Sequence, residues 1–239
     1  MVARFRFTDL RLLLAGLSPR SDPVTPLAPD QRLQVALSAY RFAAGHLDGA
    51  AALELACGTG FGCAELVGGG LRRAVGLEEW ERPVRHARRR YGSQAVSFRV
   101  APLDRLPDDL GPLDALVAWM VLQRVSAPEG VLTAVCSRLG ERRRAVVSVP
   151  LLRSREELDA ARASGMATAL FPWFWAGVLA GFFDQVRPFR QQTREGVWVD
   201  LADRGATTLR PEDVRYVEVE SPELLVEEPG LAAVFVCSR

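Results

Sequence analysis

The chain contains no lysine, isoleucine or asparagine, and all thirty of its basic residues are arginine. Those amino acids share AT-rich codons, so their joint absence reads as genome composition rather than a folding requirement. It still decides chemistry. Without lysine there is no Schiff-base or pyridoxal-phosphate lysine and no phosphate-binding lysine of the GxxxxGKS/T type. Aldolases, transaminases and P-loop nucleotide hydrolases are excluded on that ground. Histidine is nearly absent too, with only His46 and His86. The four cysteines, Cys57, Cys63, Cys136 and Cys237, include no CxxC pair, so no metal site is expected.

Charge of one sign is missing as well. Thirty basic residues against 29 acidic ones leave a net charge of +1, which gathers neither nucleic acid nor a membrane surface. The tracts Arg88 to Arg90 and Arg142 to Arg144 stand beside Glu81 and Glu141 and read as solvated faces. No stretch approaches the roughly 20 apolar residues of a spanning helix. The opening run MVARFRFTDLRLLLAGLSPR is broken by arginines and lacks the apolar core of a signal peptide. A cytoplasmic protein with reduced thiols and a small-molecule substrate is expected, with a second copy of itself as its one expected protein partner.

What is present is an ordinary globular composition, 49% hydrophobic over 239 residues, enough to bury a core without disulfides. Residues 1 to 50 read as an N-terminal helical extension: an amphipathic segment from Phe5 to Leu17, a proline-rich loop, and a helix near Asp30 to Leu47. In that helix Leu33, Leu37, Tyr40, Ala44 and Leu47 share one face. Residues 51 to 239 then alternate short apolar runs with helical stretches, the pattern of βαβ units around a mostly parallel sheet. Strands are expected at Ala51 to Ala56, Ala74 to Glu78, Val96 to Val100, Leu113 to Ala118, Ala145 to Val149, Asp184 to Phe189 and Ala232 to Cys237. Helices fall near Gly62 to Val67, Glu81 to Tyr91, Pro128 to Leu139 and Arg155 to Ala163. The fold class is α/β, a doubly wound, mostly parallel seven-stranded sheet, with an aromatic cap segment near residues 165 to 185. Such sheets bind ligands at the carboxyl ends of their strands, where the winding reverses.

The chemistry concentrates in AALELACGTGFG, where a buried strand turns into a helix. Glycines there let the backbone approach a ligand, and the helix start offers free N–H groups. The dinucleotide fingerprint GxGxxG, which would make the chain an oxidoreductase, needs a third glycine where Cys63 stands. The next strand ends in Glu78 and Glu79, and an acid at that point accepts two hydrogen bonds from ribose hydroxyls. Glu54 inside the first strand is superfluous to a dinucleotide but suits a ligand with an ammonium group.

At these residues the sequence resembles class I S-adenosylmethionine-dependent methyltransferases. ELACGTGFG is similar to that family's first motif, VGLEEWERPVRHARRRYG to its second-strand segment, and AYRFAAGHLDGAA to an upstream helical segment of a subgroup. The resemblance implies a Rossmann-like methyltransferase fold and S-adenosylmethionine as cofactor. It places Glu54 opposite the methionine ammonium, Ala56, Cys57, Gly58, Thr59 and Gly60 beneath the methionine part, Glu78 at the ribose, and Glu79, Trp80 or Leu103 against the adenine. Tyr40 and Arg41 would meet the methionine carboxylate, and Ala118 and Trp119 would close the crevice from the fourth strand.

Other family positions differ here. The Gly-Asp-Ala that follows the third strand in the family reads Ala101-Pro102-Leu103, and its Glu-His after the fourth strand reads Gln123-Arg124. Gln123, Arg124 and His46 are the catalytic candidates, since methyl transfer from a sulfonium needs alignment and water exclusion more than a strong base. The expected reaction is transfer to a small-molecule or glycan-like acceptor at oxygen. The alternative is a member that keeps cofactor binding but has lost transfer and acts as a partner or sensor.

Overall fold

The first strand, β1 (Ala51–Leu55), is buried at every residue, as a strand covered on both faces must be, and it carries one charged side chain, Glu54. It lies between β2 (Arg73–Glu78) and β4 (Leu113–Trp119), both parallel to it. β3 (Val96–Val100) extends the sheet beyond β2, and β5 (Leu139–Val149) extends it beyond β4. Three antiparallel pairings follow, involving β6 (Gln185–Thr193), β7 (Val214–Glu218) and β8 (Ala232–Ser238), to give the order β3-β2-β1-β4-β5-β8-β6-β7. The computed structural model describes residues 29–194 and 209–239, with side chains from Leu33 onward. The amphipathic segment at Phe5 to Leu17 and much of the polar stretch before β7 fall outside them.

Side-chain alternation divides the sheet into two packed faces. On one, Ala52, Ala115, Val117, Val146 and Val234 pack under α1 (Pro29–His46) and α2 (Phe61–Gly68), while Ala74, Val96 and Phe98 pack under α3 (Glu81–Tyr91). On the other, Leu53, Leu55, Val75, Leu77, Leu116, Val147, Val149 and Phe235 pack against α4 (Pro128–Cys136) and α6 (Pro172–Ala180). Between them α5 (Arg155–Ala163) starts at Ser154, whose hydroxyl accepts from the Glu157 N–H at 3.2 Å. The buried face of α5, Leu158 and Ala161, closes a small core of its own with Leu152, Met166 and Ala169.

Among the described residues the sheet has eight strands where the sequence pattern indicated seven. The extra strand, β7, is short and charged, with Arg215 and Glu218 exposed, because it sits at a sheet edge where only one side is hydrogen-bonded. Helix α4 ends at Cys136 rather than Leu139, and β5 begins six residues before the expected Ala145. Leu139 pairs with Leu113 ahead of a register shift, so the arginine tract 142–144 lies on the strand and not in a turn. The aromatic segment divides: Trp175 is fully buried in the main core, Phe171 stacks on Trp173 at 4.6 Å, and Phe174 is exposed.

Candidate active site

The order of strands reverses between β1 and β4, and two residues there adopt a left-handed backbone without being glycine: Ala56 (φ 53) after β1 and Met120 (φ 51) after β4. Such strain persists only where surrounding structure enforces it, and it marks functional turns. The Met120 N–H is held by Ser148 at the end of β5, donating to the hydroxyl oxygen at 3.0 Å and to the carbonyl at 3.2 Å. The loop after β1 is held equally firmly. Cys57 N–H donates to the Leu77 carbonyl, Gly60 N–H to the Cys57 carbonyl, and Gly58 N–H to Oε2 of Glu78 at 3.0 Å.

Two acids face this loop. Glu78, 8% exposed, also accepts from the N–H groups of Glu79 (2.9 Å) and Trp80 (3.2 Å) through Oε1, so its carboxylate is fixed by backbone donors. Glu54, 1% exposed, accepts from the Tyr40 hydroxyl at 2.5 Å through Oε1 and from the Cys63 thiol at 2.9 Å through Oε2. Burial pushes Glu54 up to about 7 against the pull of those bonds, and Glu78 adds to the upward push. Burial first and the Glu54 charge second raise Tyr40 well above its ordinary range, so its hydroxyl stays a donor.

The glycines divide by role. A Cβ at Gly58 meets nothing within 4 Å, so a side chain here would enter open space. At Gly60 a Cβ lies 2.6 Å from Ala87 and from the Phe98 ring, so this glycine is needed for packing against α3 and β3. At Gly62 it collides with the Tyr40 ring and the Glu54 carboxylate. The loop therefore leaves room for a ligand at one glycine and seats its own walls at two others.

The expected site residues separate in the same way. Tyr40, Glu54, Ala56, Cys57, Gly58, Thr59, Gly60 and Glu78 come together at the ends of β1 and β2, with Glu79 and Trp80 exposed beside them and Trp119 at 6.4 Å from the Tyr40 ring. Tyr40 turns its hydroxyl to Glu54, while Arg41 is exposed on the same helix. Leu103 and Ala118 are core residues: both belong to the cluster on the α4 and α6 face, opposite Glu54, and Ala118 is fully buried.

His46 lies at the wrong end. It precedes β1, stacks edge-on to Phe42 at 4.5 Å, and its carbonyl accepts from Arg144 near the entry of β5, a strand length from the glycine loop. Gln123 is 1% exposed after β4, in a 3-10 turn (Leu122–Arg124), and neither atom of its amide has a hydrogen-bond partner among the described residues. Its carbonyl accepts from Thr168 N–H at 3.0 Å, and the Thr168 hydroxyl donates to the Val125 carbonyl, which ties the segment after α5 to the turn after β4. Arg124 is exposed. Cys63 and Met120 were not expected at the site: the first stands where a glycine was sought, and the second shows itself only in the backbone.

Residues 52–141 match the family described as methyltransferase domain. No curated protein matches the sequence. Solved structures do share the fold. An S-adenosylmethionine-dependent methyltransferase of Thermotoga maritima is 16% identical with TM-score 0.62, covering 87% of this chain and 91% of that one. A methyltransferase of Haloferax volcanii, solved with the Trm112 methyltransferase activator, is 16% identical with TM-score 0.61, covering 87% and 90%. The magnesium protoporphyrin IX methyltransferase of Synechocystis, solved with bound S-adenosylhomocysteine, is 14% identical with TM-score 0.53, covering 99% and 88%. The matched segment contains both acids, the glycine loop and the turn after β4, so the part of the chain that is similar to the methyltransferase domain is the part that builds this site.

Proposed function

We propose that the crevice over β1, β2 and β4 holds S-adenosylmethionine through Glu54, the Gly58 turn and Glu78, and that the acceptor is a hydroxyl of a small-molecule or glycan-like substrate. The residues present suit the cofactor. Glu54 supplies a buried carboxylate for an ammonium group, Glu78 has lone pairs left for ribose hydroxyls, and Gly58 leaves the space a side chain would fill. Trp80, 71% exposed beside Glu78, offers the apolar surface for a base that Leu103, buried in the core, does not. Arg41 is an exposed cation on α1 for a carboxylate. When bound, S-adenosylmethionine supplies an electrophilic methyl on a sulfonium, a leaving group that needs no acid.

The observation that carries the acceptor reading is Gln123. A buried amide with both its donor and its acceptor unused costs free energy unless a ligand satisfies it, and a hydroxyl, which donates and accepts at once, matches both halves. Gln123 follows β4 directly, and its carbonyl, accepting from Thr168 N–H, joins that turn to the segment after α5. The test is a panel of hydroxylated and aminated small molecules with the purified protein, followed by mass spectrometry for a 14-dalton gain. Methylation at hydroxyls that falls when Gln123 is replaced by Leu supports the reading; methylation confined to amines overturns it.

A second reading, cofactor binding without transfer, is favoured by Pro102, which stands where the resemblance would have an acid accepting from the adenine amino group. Tight cofactor binding with no product from any acceptor would select it.

A further inference from the structure

Helix α1 lies outside the segment that matches the methyltransferase domain, yet it reaches the deepest charged group of the site. Its Tyr40 is 7% exposed, packs edge-on against Phe61 at 5.3 Å, and passes over Gly62, where any side chain would collide with its ring. The hydroxyl ends on Glu54, and the other carboxylate oxygen is taken by Cys63 from α2. Two donors from two helices thus fix both oxygens of one buried carboxylate.

We propose that Tyr40 is a positioning residue of the cofactor site, which acts through Glu54 by fixing the direction and the ionised form of the carboxylate that receives the ammonium group, and so makes α1 part of that site. This rests on the cofactor reading given above. A carboxylate buried on all sides rotates freely only if its oxygens are unclaimed, and here each oxygen has one protein donor and keeps lone pairs for a ligand. The groups that face Glu54 are Tyr40 from α1, Cys63 from α2, Cys57 from the loop and Glu78 from β2. Both thiols are pushed up by burial and remain protonated near neutrality, so Tyr40 and Cys63 act as donors while Glu78 pushes Glu54 upward. Gly62 and Tyr40 are a matched pair in this arrangement, since the first makes the room that the second fills.

Tyr40→Phe keeps the ring packing and removes only the hydroxyl. Two measurements on the full chain separate the outcomes. The first follows the pH dependence of thermal stability without cofactor in wild type, Tyr40→Phe and Glu54→Gln. The second measures the Kd for S-adenosylmethionine by calorimetry from pH 6 to pH 9. The expected result is a wild-type affinity that rises with pH through about 7, the range in which Glu54 ionises. Tyr40→Phe should weaken binding about tenfold near neutrality and move that midpoint upward, because losing a donor makes the carboxylate harder to ionise. Adding an oxygen-free obstacle instead, Gly62→Ala, should weaken binding in the same direction by displacing the same contact. A wild type that binds the cofactor while Tyr40→Phe shows the same Kd and the same pH profile overturns the positioning role alone. A wild type that binds no cofactor at any pH, with Tyr40→Phe still shifting the stability profile, overturns the cofactor reading and reduces the contact to an internal hydrogen bond.

Discussion

The N–H of Gly58 donates to Oε2 of Glu78 across 3.0 Å, so the turn after β1 is held in place by the acid at the end of β2. The neighbouring glycines do different work from Gly58, and this leads to a contrast between substitutions. At Gly58 a side chain meets open space, although the backbone is left-handed (φ 53). Gly58→Arg should fold with a loss of about 1–2 kcal/mol from backbone strain and lose cofactor binding entirely. Gly60→Ala, on a backbone that is also left-handed (φ 83) and with its new carbon 2.6 Å from Ala87 and Phe98, should cost about 2–5 kcal/mol by strain and overpacking together. Thermal melts and cofactor titrations of the two variants should therefore rank in opposite orders.

The buried acid of β1 makes stability depend on pH in an unusual direction. Glu54 sits near 7 in the folded protein against an ordinary 4.5, so the folded state holds a proton that the unfolded state releases. Its contribution is complete below about 4.5 and is lost as pH rises through about 7, with a full span of about 3 kcal/mol. Without cofactor, wild type should melt lower at pH 8 than at pH 6, and Glu54→Gln should flatten the difference while abolishing cofactor binding. Equal slopes in the two melting profiles would show that Glu54 is ionised throughout.

Gln123→Leu replaces an unsatisfied buried amide by an apolar side chain of similar length. The melting temperature should hold or rise, because the cost of burying unpaired polar atoms disappears. The Kd for S-adenosylmethionine should stay within about twofold of wild type. Turnover of a hydroxyl acceptor should fall by about ten- to a hundredfold, the worth of one or two hydrogen bonds. A variant that loses stability and cofactor affinity together would instead make Gln123 a structural residue.

His46→Ala should leave turnover unchanged. The imidazole packs on Phe42 and Phe189, at 4.5 and 5.7 Å, and burial followed by the Arg187 charge lowers its pKa, so it stays neutral at pH 7. Loss of these ring contacts should destabilise the protein by about 0.5–1.5 kcal/mol, measurable in a denaturant titration. A large fall in kcat with normal stability would place His46 in the chemistry after all.

The parallel half of the sheet was legible in the sequence because buried strands and amphipathic helices have different periods, and α3 and α5 begin and end where the pattern places them. β7 was not, because an edge strand needs no apolar face: Val214, Tyr216 and Val217 are interleaved with Arg215 and Glu218 and read as loop. At the site, residue type and spacing pointed to Glu54, the glycine turn and Glu78, which the structure brings together. Spacing does not tell which glycine faces a ligand and which faces Phe98, and it does not reveal that Met120 takes a left-handed backbone. Ala118 sits beside Trp119 in sequence but projects to the opposite face of the sheet, a difference of one residue in register, and Leu103, in the loop after β3, joins the core cluster on that same face. His46 illustrates the same limit, since nearness to β1 along the chain puts it at the entry of the strand and not at its carboxyl end.

On the proposed reading, Glu54, the Gly58 turn and Glu78 form one cofactor cradle. Its most direct test is isothermal titration of the full chain with S-adenosylmethionine and S-adenosylhomocysteine at pH 8, with NAD as control and Gly58→Arg in parallel. The account predicts micromolar binding of both sulfur compounds to wild type, none to the variant and none of NAD to either. Equal binding to wild type and Gly58→Arg, or no heat with wild type at all, would contradict it.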